Sequence, residues 1–219
     1  MSAPDPPPST ALVDLLALLA YGELQAFDQM ATDARLAPNL HRRAVLSEMA
    51  AAEIVNYRRL AGRLTELGVD VEAAMRPFVP PLEHYHDQTE PRDWLEALAK
   101  AYVGDGIADD FYREAALCLD SPDRELVLDV LHDSRYADFA AQEIRDAIAA
   151  DPKVANPLSM WARRLVGEGL SQAQRVAVER PALTVLIAGR AADQDGIGAL
   201  FKRLTTAHTA RMAAVGLNN

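Results

Sequence analysis

The chain has 219 residues, half of them hydrophobic, with 22 basic against 32 acidic residues and a formal charge of −10. That length suits one large domain with a sizeable core, and the acidity argues against a protein built mainly to grip nucleic acid, which carries a basic surface. The single cysteine, Cys118, excludes an intrachain disulfide and agrees with a reducing compartment.

Residues 1–9 are proline-rich and read as a disordered tail. Thr10 is the expected cap of a first helix over 11–34. Its run "ALVDLLALLAYG" is broken by Asp14 and reads as too short to span a bilayer. With no basic leader before it, a cytoplasmic protein that makes no membrane contact is expected. A second helix covers 40–67 and stops at Gly68. The segment "VDVEAAMRPFVPPLEHYHDQTEPRD" holds a short helix at 70–76. Its four later prolines then imply a long crossover.

A third helix runs from Trp94 to Leu119, where "AALCLD" places Cys118 at helical spacing as a core thiol. A fourth, capped within "DSPDREL", covers 122–150. A fifth covers 156–179, and a sixth opens at Pro181, breaks near "GRAADQDGIG" and resumes to 214. No segment alternates as a strand does. The expected fold is all-α over 10–217: a helix pair, a long crossover, a second pair and two additional C-terminal helices. That is the order of a ferritin-like four-helix bundle.

Acids interrupt the apolar stripes. In helix 1, Leu12, Leu16, Leu19, Phe27 and Met30 share a face, and Glu23 fills its gap. In helix 2, Glu53 and Asn56 lie among Leu46, Met49, Ala50, Leu60 and Leu64. In helix 3, Asp105 and Asp109 lie among Leu95, Leu98, Tyr102, Tyr112 and Leu119, with Gly104 and Gly106 beside Asp105. In helix 4, Leu126, Val130, Ala137 and Ile144 place Asp133 inward, with Tyr136 one turn on. Two helix-weakening glycines imply a close backbone approach or a local distortion. A lone buried carboxylate is costly unless paired, protonated or metal-bound. Di-iron bundles gather carboxylates from four helices in this way. The structural alternative pairs the acids with Arg58, Arg135, Tyr102 or Tyr112.

The motifs "AYGELQAFDQMA", "AAAEIVNYRRL", "KAYVGDGIADDFYRE", "LHDSRYADFAAQEI" and "RRLVGEGLSQAQRV" resemble the actinobacterial ferritin-like proteins grouped with the di-iron tRNA hydroxylases of methylthio-isopentenyladenosine. The resemblance implies a metal-dependent oxidoreductase of hydroxylase type using iron or manganese. It matches Glu23 to the first-helix glutamate and Glu53 to the first Glu-x-x-His, with Asn56 in the histidine position. Asp105 or Asp109 takes the third-helix carboxylate position. Asp133 matches the second Glu-x-x-His, with Tyr136 in its histidine position.

Both histidines are thus replaced. Asparagine oxygen is a weaker, harder donor than imidazole, and tyrosine must lose its proton to bind iron. The alternative is a metal-free scaffold or interaction protein held by polar networking. Among other histidines, His84 and His86 form a crossover "HYH". His132 is set to face away from Asp133, and His41 and His208 read as structural or solvated. The resemblance also brings tRNA as a partner, which the acidic charge disfavours. A homodimer is the expected assembly, and Trp161 and Leu165 share one face that suits a core or an interface.

Overall fold

The computed structural model describes residues 9–131, 135–189 and 196–218. Helix α1 spans Thr10–Asp33. Its cap is Ser9, one residue before the predicted Thr10, and the Ser9 Oγ accepts from the Leu12 amide at 3.2 Å. Ser9 is therefore part of the folded domain, while tail residues 1–8 lie outside the described residues. Helix α2, Leu40–Glu66, starts on Asn39, whose side chain accepts from the Arg42 amide at 2.9 Å. It ends at Gly68, where φ of +74° suits glycine.

The crossover is more helical than predicted. It forms α3, Val71–Met75, and α4, Val79–Gln88. Pro77, Pro80 and Pro81 fall in the opening positions of helical turns, where the missing N–H has no intrahelical partner to lose. The predicted third helix is α5, Trp94–Lys100, a π-helical turn over Ala101–Asp105, then α6, Gly106–Ala116. The predicted fourth helix divides into α7, Asp123–Val130, and α8, Arg135–Ala150. Tyr136, Ala140 and Ile144 face the core, while Ala137, placed inward by its spacing, is exposed in the first turn of α8. Helices α9, Ala155–Glu179, α10, Pro181–Gly189, and α11, Gly196–Ala214, complete the chain. Among the described residues no strand forms.

Helices α1, α2, α5–α6 and α7–α8 make the bundle, and α9, α10 and α11 pack around it. Trp161 and Leu165 belong to the core: Leu165 is buried, and Trp161 Nε1 donates to the Glu96 carbonyl at 3.0 Å. Cys118 is only half-buried. Residues Thr10–Leu36 are long and apolar enough to cross a membrane, contrary to the expectation. Here that helix supplies the bundle's interior, with Leu15, Leu16 and Leu19 buried.

The apolar interior falls into two parts. One gathers Met30, Leu46, Ala50, Leu98, Val103, Tyr136 and Ile144. The other gathers Leu15 to Tyr21, Leu60, Leu64, Ala115, Leu119 and Val130. On α1 the seam between the two falls at Glu23. On α2 it falls at Glu53 and Asn56, and on α6 at Asp109. The acids therefore form a polar layer between two dry halves. Ion pairs clamp α2 across this level. Arg63 pairs with Asp123 of α7 at 2.6 Å, and Arg42 with Glu143 of α8 at 2.5 Å.

Both glycines of "VGDG" meet close neighbours. A Cβ on Gly104 would lie 2.8 Å from the Tyr85 hydroxyl, and one on Gly106 only 2.3 Å from Arg211 Nε. Arg211, on α11, donates to the Gly106 carbonyl at 2.9 Å and to Asp110 at 2.6 Å. The local distortion and the close approach expected from sequence thus occur together. Gly106→Ala is expected to destabilise the fold by about 1–3 kcal/mol through overpacking. Gly62→Ala, in open space on α2, is expected to stabilise it by about 0.5–1 kcal/mol. Urea midpoints of the two variants would check the contrast.

Candidate functional site: an acid layer in the bundle

Four of the proposed ligand residues sense one another. Glu23 is buried, and desolvation raises its carboxyl far above the usual range. A side-chain hydrogen bond to Glu53 and the charge of Glu53 raise it further, while pairing with Asn56 opposes the rise. Two carboxyls can pair in this way only when one is protonated. Asp105 is raised well above the usual range by desolvation, then by Asp109 and Glu53. Desolvation pushes Asp109 up to about 6, against the pull of Arg113. Asp105 and Asp109 both feel the charge of Glu53.

Tyr136 is buried, and its hydroxyl is held protonated by desolvation, then by Asp105, Asp33 and Glu53. Among the described residues its oxygen has no hydrogen-bond partner, nor has Oε2 of Glu23. Asp105 is exposed by its own surface, although the protein packed around it raises its carboxyl. Asp133 and His132 lie outside the described residues.

Of the alternative partners, Arg58 and Arg135 are exposed. Tyr102 donates to the Arg211 carbonyl at 3.0 Å. Tyr112 does face the layer: burial, then Glu23 and Asp109, raise it. His86 is on α4, where burial and then Lys100 push it down to about 3. His208 is buried, His84 half-buried and His41 exposed.

Sequence reading missed Asp33 and Lys100. Asp33 is 1% exposed and Lys100 3%. The α1 stripe carried three residues past Met30 reaches Asp33, so its signal was present. Lys100 had none, because a lysine near a helix end normally reaches water.

A histidine-supported di-iron centre does not fit these residues. Asn56 uses its amide as a donor, with Nδ2 bonding the Val130 carbonyl at 3.2 Å. Tyr136 remains a neutral phenol. Among the described residues, no three of histidine, cysteine, aspartate and glutamate gather so as to hold a metal ion.

The raised acids set a pH signature. A carboxyl raised in the folded state stabilises it fully below its ordinary range, and that contribution is lost as pH rises toward the raised value. Glu23→Gln is neutral at every pH. Its melting temperature is expected to match the wild type near pH 4 and to exceed it increasingly toward about pH 8. For Asp109→Asn the margin should open above the ordinary value of 3.8 and level off past about 6. Melting curves across pH, wild type against variant, isolate these groups from all others.

The solved structure of Protein 19 with aldehyde deformylating oxidase activity, from Synechococcus, superposes with a TM-score of 0.66. It is 19% identical, over 95% of this chain and 90% of that one. At that identity the likeness is one of fold. No curated protein sequence matches. The model of the actinomycete ferritin-like domain family matches residues 8–190, through α10 and short of α11. A bundle of this order, with acids on its inner faces and that match over most of its length, belongs to the actinomycete ferritin-like domain family.

Proposed function

We propose that this chain is a ferritin-like protein that no longer works through a histidine-supported di-iron centre and acts as a metal-free helical scaffold or interaction protein. What supports the reading is the burial of Glu23 within reach of the Glu53 charge, and Asn56 beside them, whose amide donates to the Val130 carbonyl. Protons and amide hydrogens do here what cations do in a carboxylate metal site: they let acids sit together away from water. A homodimer is the assembly we expect.

A second reading keeps a metal-dependent oxidoreductase of hydroxylase type, with iron or manganese held by oxygen donors. Two buried orphan oxygens favour it, Oε2 of Glu23 and the hydroxyl of Tyr136. Both point to a missing partner, which water or a hard cation would supply. tRNA as a substrate finds no support in a chain of net charge −10.

Metal analysis of protein purified without chelator, before and after anaerobic reconstitution with Fe²⁺ or Mn²⁺, separates the two readings. The scaffold reading expects no stoichiometric metal. One or two ions per chain, lost in Glu23→Gln and Glu53→Gln, would establish the second reading instead.

A further inference from the structure

Helix α9 turns one face away from the bundle. Leu165, Gln172 and Val176 are buried on its inner side. Opposite them, Gly167, Leu170, Ser171, Gln174 and Val178 follow one another at steps of three and four and are exposed, Leu170 by 43% and Val178 by 82%. Gly167 lies inside a long helix, which glycine weakens. A Cβ there would meet no described atom within 4 Å. Packing among the described residues therefore gives no reason for glycine at this point, whereas the close approach of another helix would.

Arg164, Glu168, Arg175 and Glu179 border this face along one edge. Glu168 is half-buried and the other three are exposed. Among the described residues Glu168, Arg175 and Glu179 make no ion pair. Arg164 donates to the Gln88 carbonyl at 2.7 Å and stands 5.8 Å from the centre of the Trp161 ring. The four charges are placed symmetrically about a point between Ser171 and Gln172, and each has the opposite sign to its counterpart across that point. A helix with this pattern complements itself when run antiparallel. About a two-fold axis at that point, Arg164 meets Glu179 of a second copy and Glu168 meets Arg175, each twice. A parallel pair about a two-fold would set every charge against its like.

We propose that this face of α9 is a homodimer interface, with α9 packed antiparallel on α9 of a second copy about a two-fold axis between Ser171 and Gln172. Leu170 and Val178 supply apolar contact, Gly167 lets the helices approach, and the ion pairs fix direction and register. The inference is independent of the metal question, and it deepens the expected homodimer by naming its surface.

Glu168→Arg and Arg175→Glu each replace two ion pairs by two like-charge pairs. Each is expected to raise the dimer dissociation constant at least about tenfold by sedimentation equilibrium. The double variant Glu168→Arg, Arg175→Glu exchanges the partners and should return to within about threefold of wild type. A role of either residue within its own chain predicts no such rescue. Melting curves check that each variant stays folded. Should the half-buried Glu168→Arg fail to fold, Arg175→Glu decides alone. A dimer that the single variants do not weaken, or that the double variant does not restore, overturns this interface and leaves the homodimer itself standing. A wild type that stays monomeric overturns both.

Discussion

Desolvated negative charge is the constraint on which this structure turns. Glu23, Glu53, Asp105 and Asp109 come from three bundle helices and influence one another's charge where two apolar halves of the interior adjoin, with Glu23 buried and the others keeping some surface. Left ionised and unpaired, they would oppose folding by more than a small domain's whole stability. The chain answers with a carboxyl at Glu23 that burial favours in its protonated form, neutral phenols at Tyr112 and Tyr136, the amide of Asn56, and the buried Lys100. Each is a way of keeping carboxyl groups in the interior without bulk solvent.

The backbone is shaped to the same end. An ordinary α-turn rotates each residue by a fixed amount, and the π turn over Ala101–Asp105 adds one residue to that count. Lys100 and Asp105, on either side of that turn, both feel the charge of Asp33 on α1. Gly104 and Gly106 let Tyr85 and Arg211 close on the turn. Arg211 belongs to α11, beyond the residues shared with the family. A helix after the matched range thus hydrogen-bonds the residue that follows the turn.

The family match and the fold likeness set a ferritin-like framework, but a framework does not fix chemistry. In this chain the positions that resemble Glu-x-x-His carry Asn56 and Tyr136. Asn56 gives an amide hydrogen to the Val130 carbonyl, and burial favours the protonated form of Tyr136.

Much of this was legible from residue order. Stripes at steps of three and four placed Glu23, Glu53 and Asp109 inward, because helical periodicity is local and needs no knowledge of the partner helix. Glycine pairing announced the distortion at Asp105 for the same reason. Three things were not local. Prolines that looked like loop residues open helical turns, since only packing decides whether a turn after proline continues. Ala137 was placed inward because it shares a face with Ile144, but it stands in the first turn of α8, where packing and not spacing decides what is covered. Lys100 looked solvated because a sequence shows its long stem and charge, but not the acids from α1 and the π turn that surround it. Residue spacing by itself determined which faces are apolar and where acids break them. Only the tertiary structure decided which of those acids meet, because charge interaction depends on distance and burial, and both arise when the helices pack.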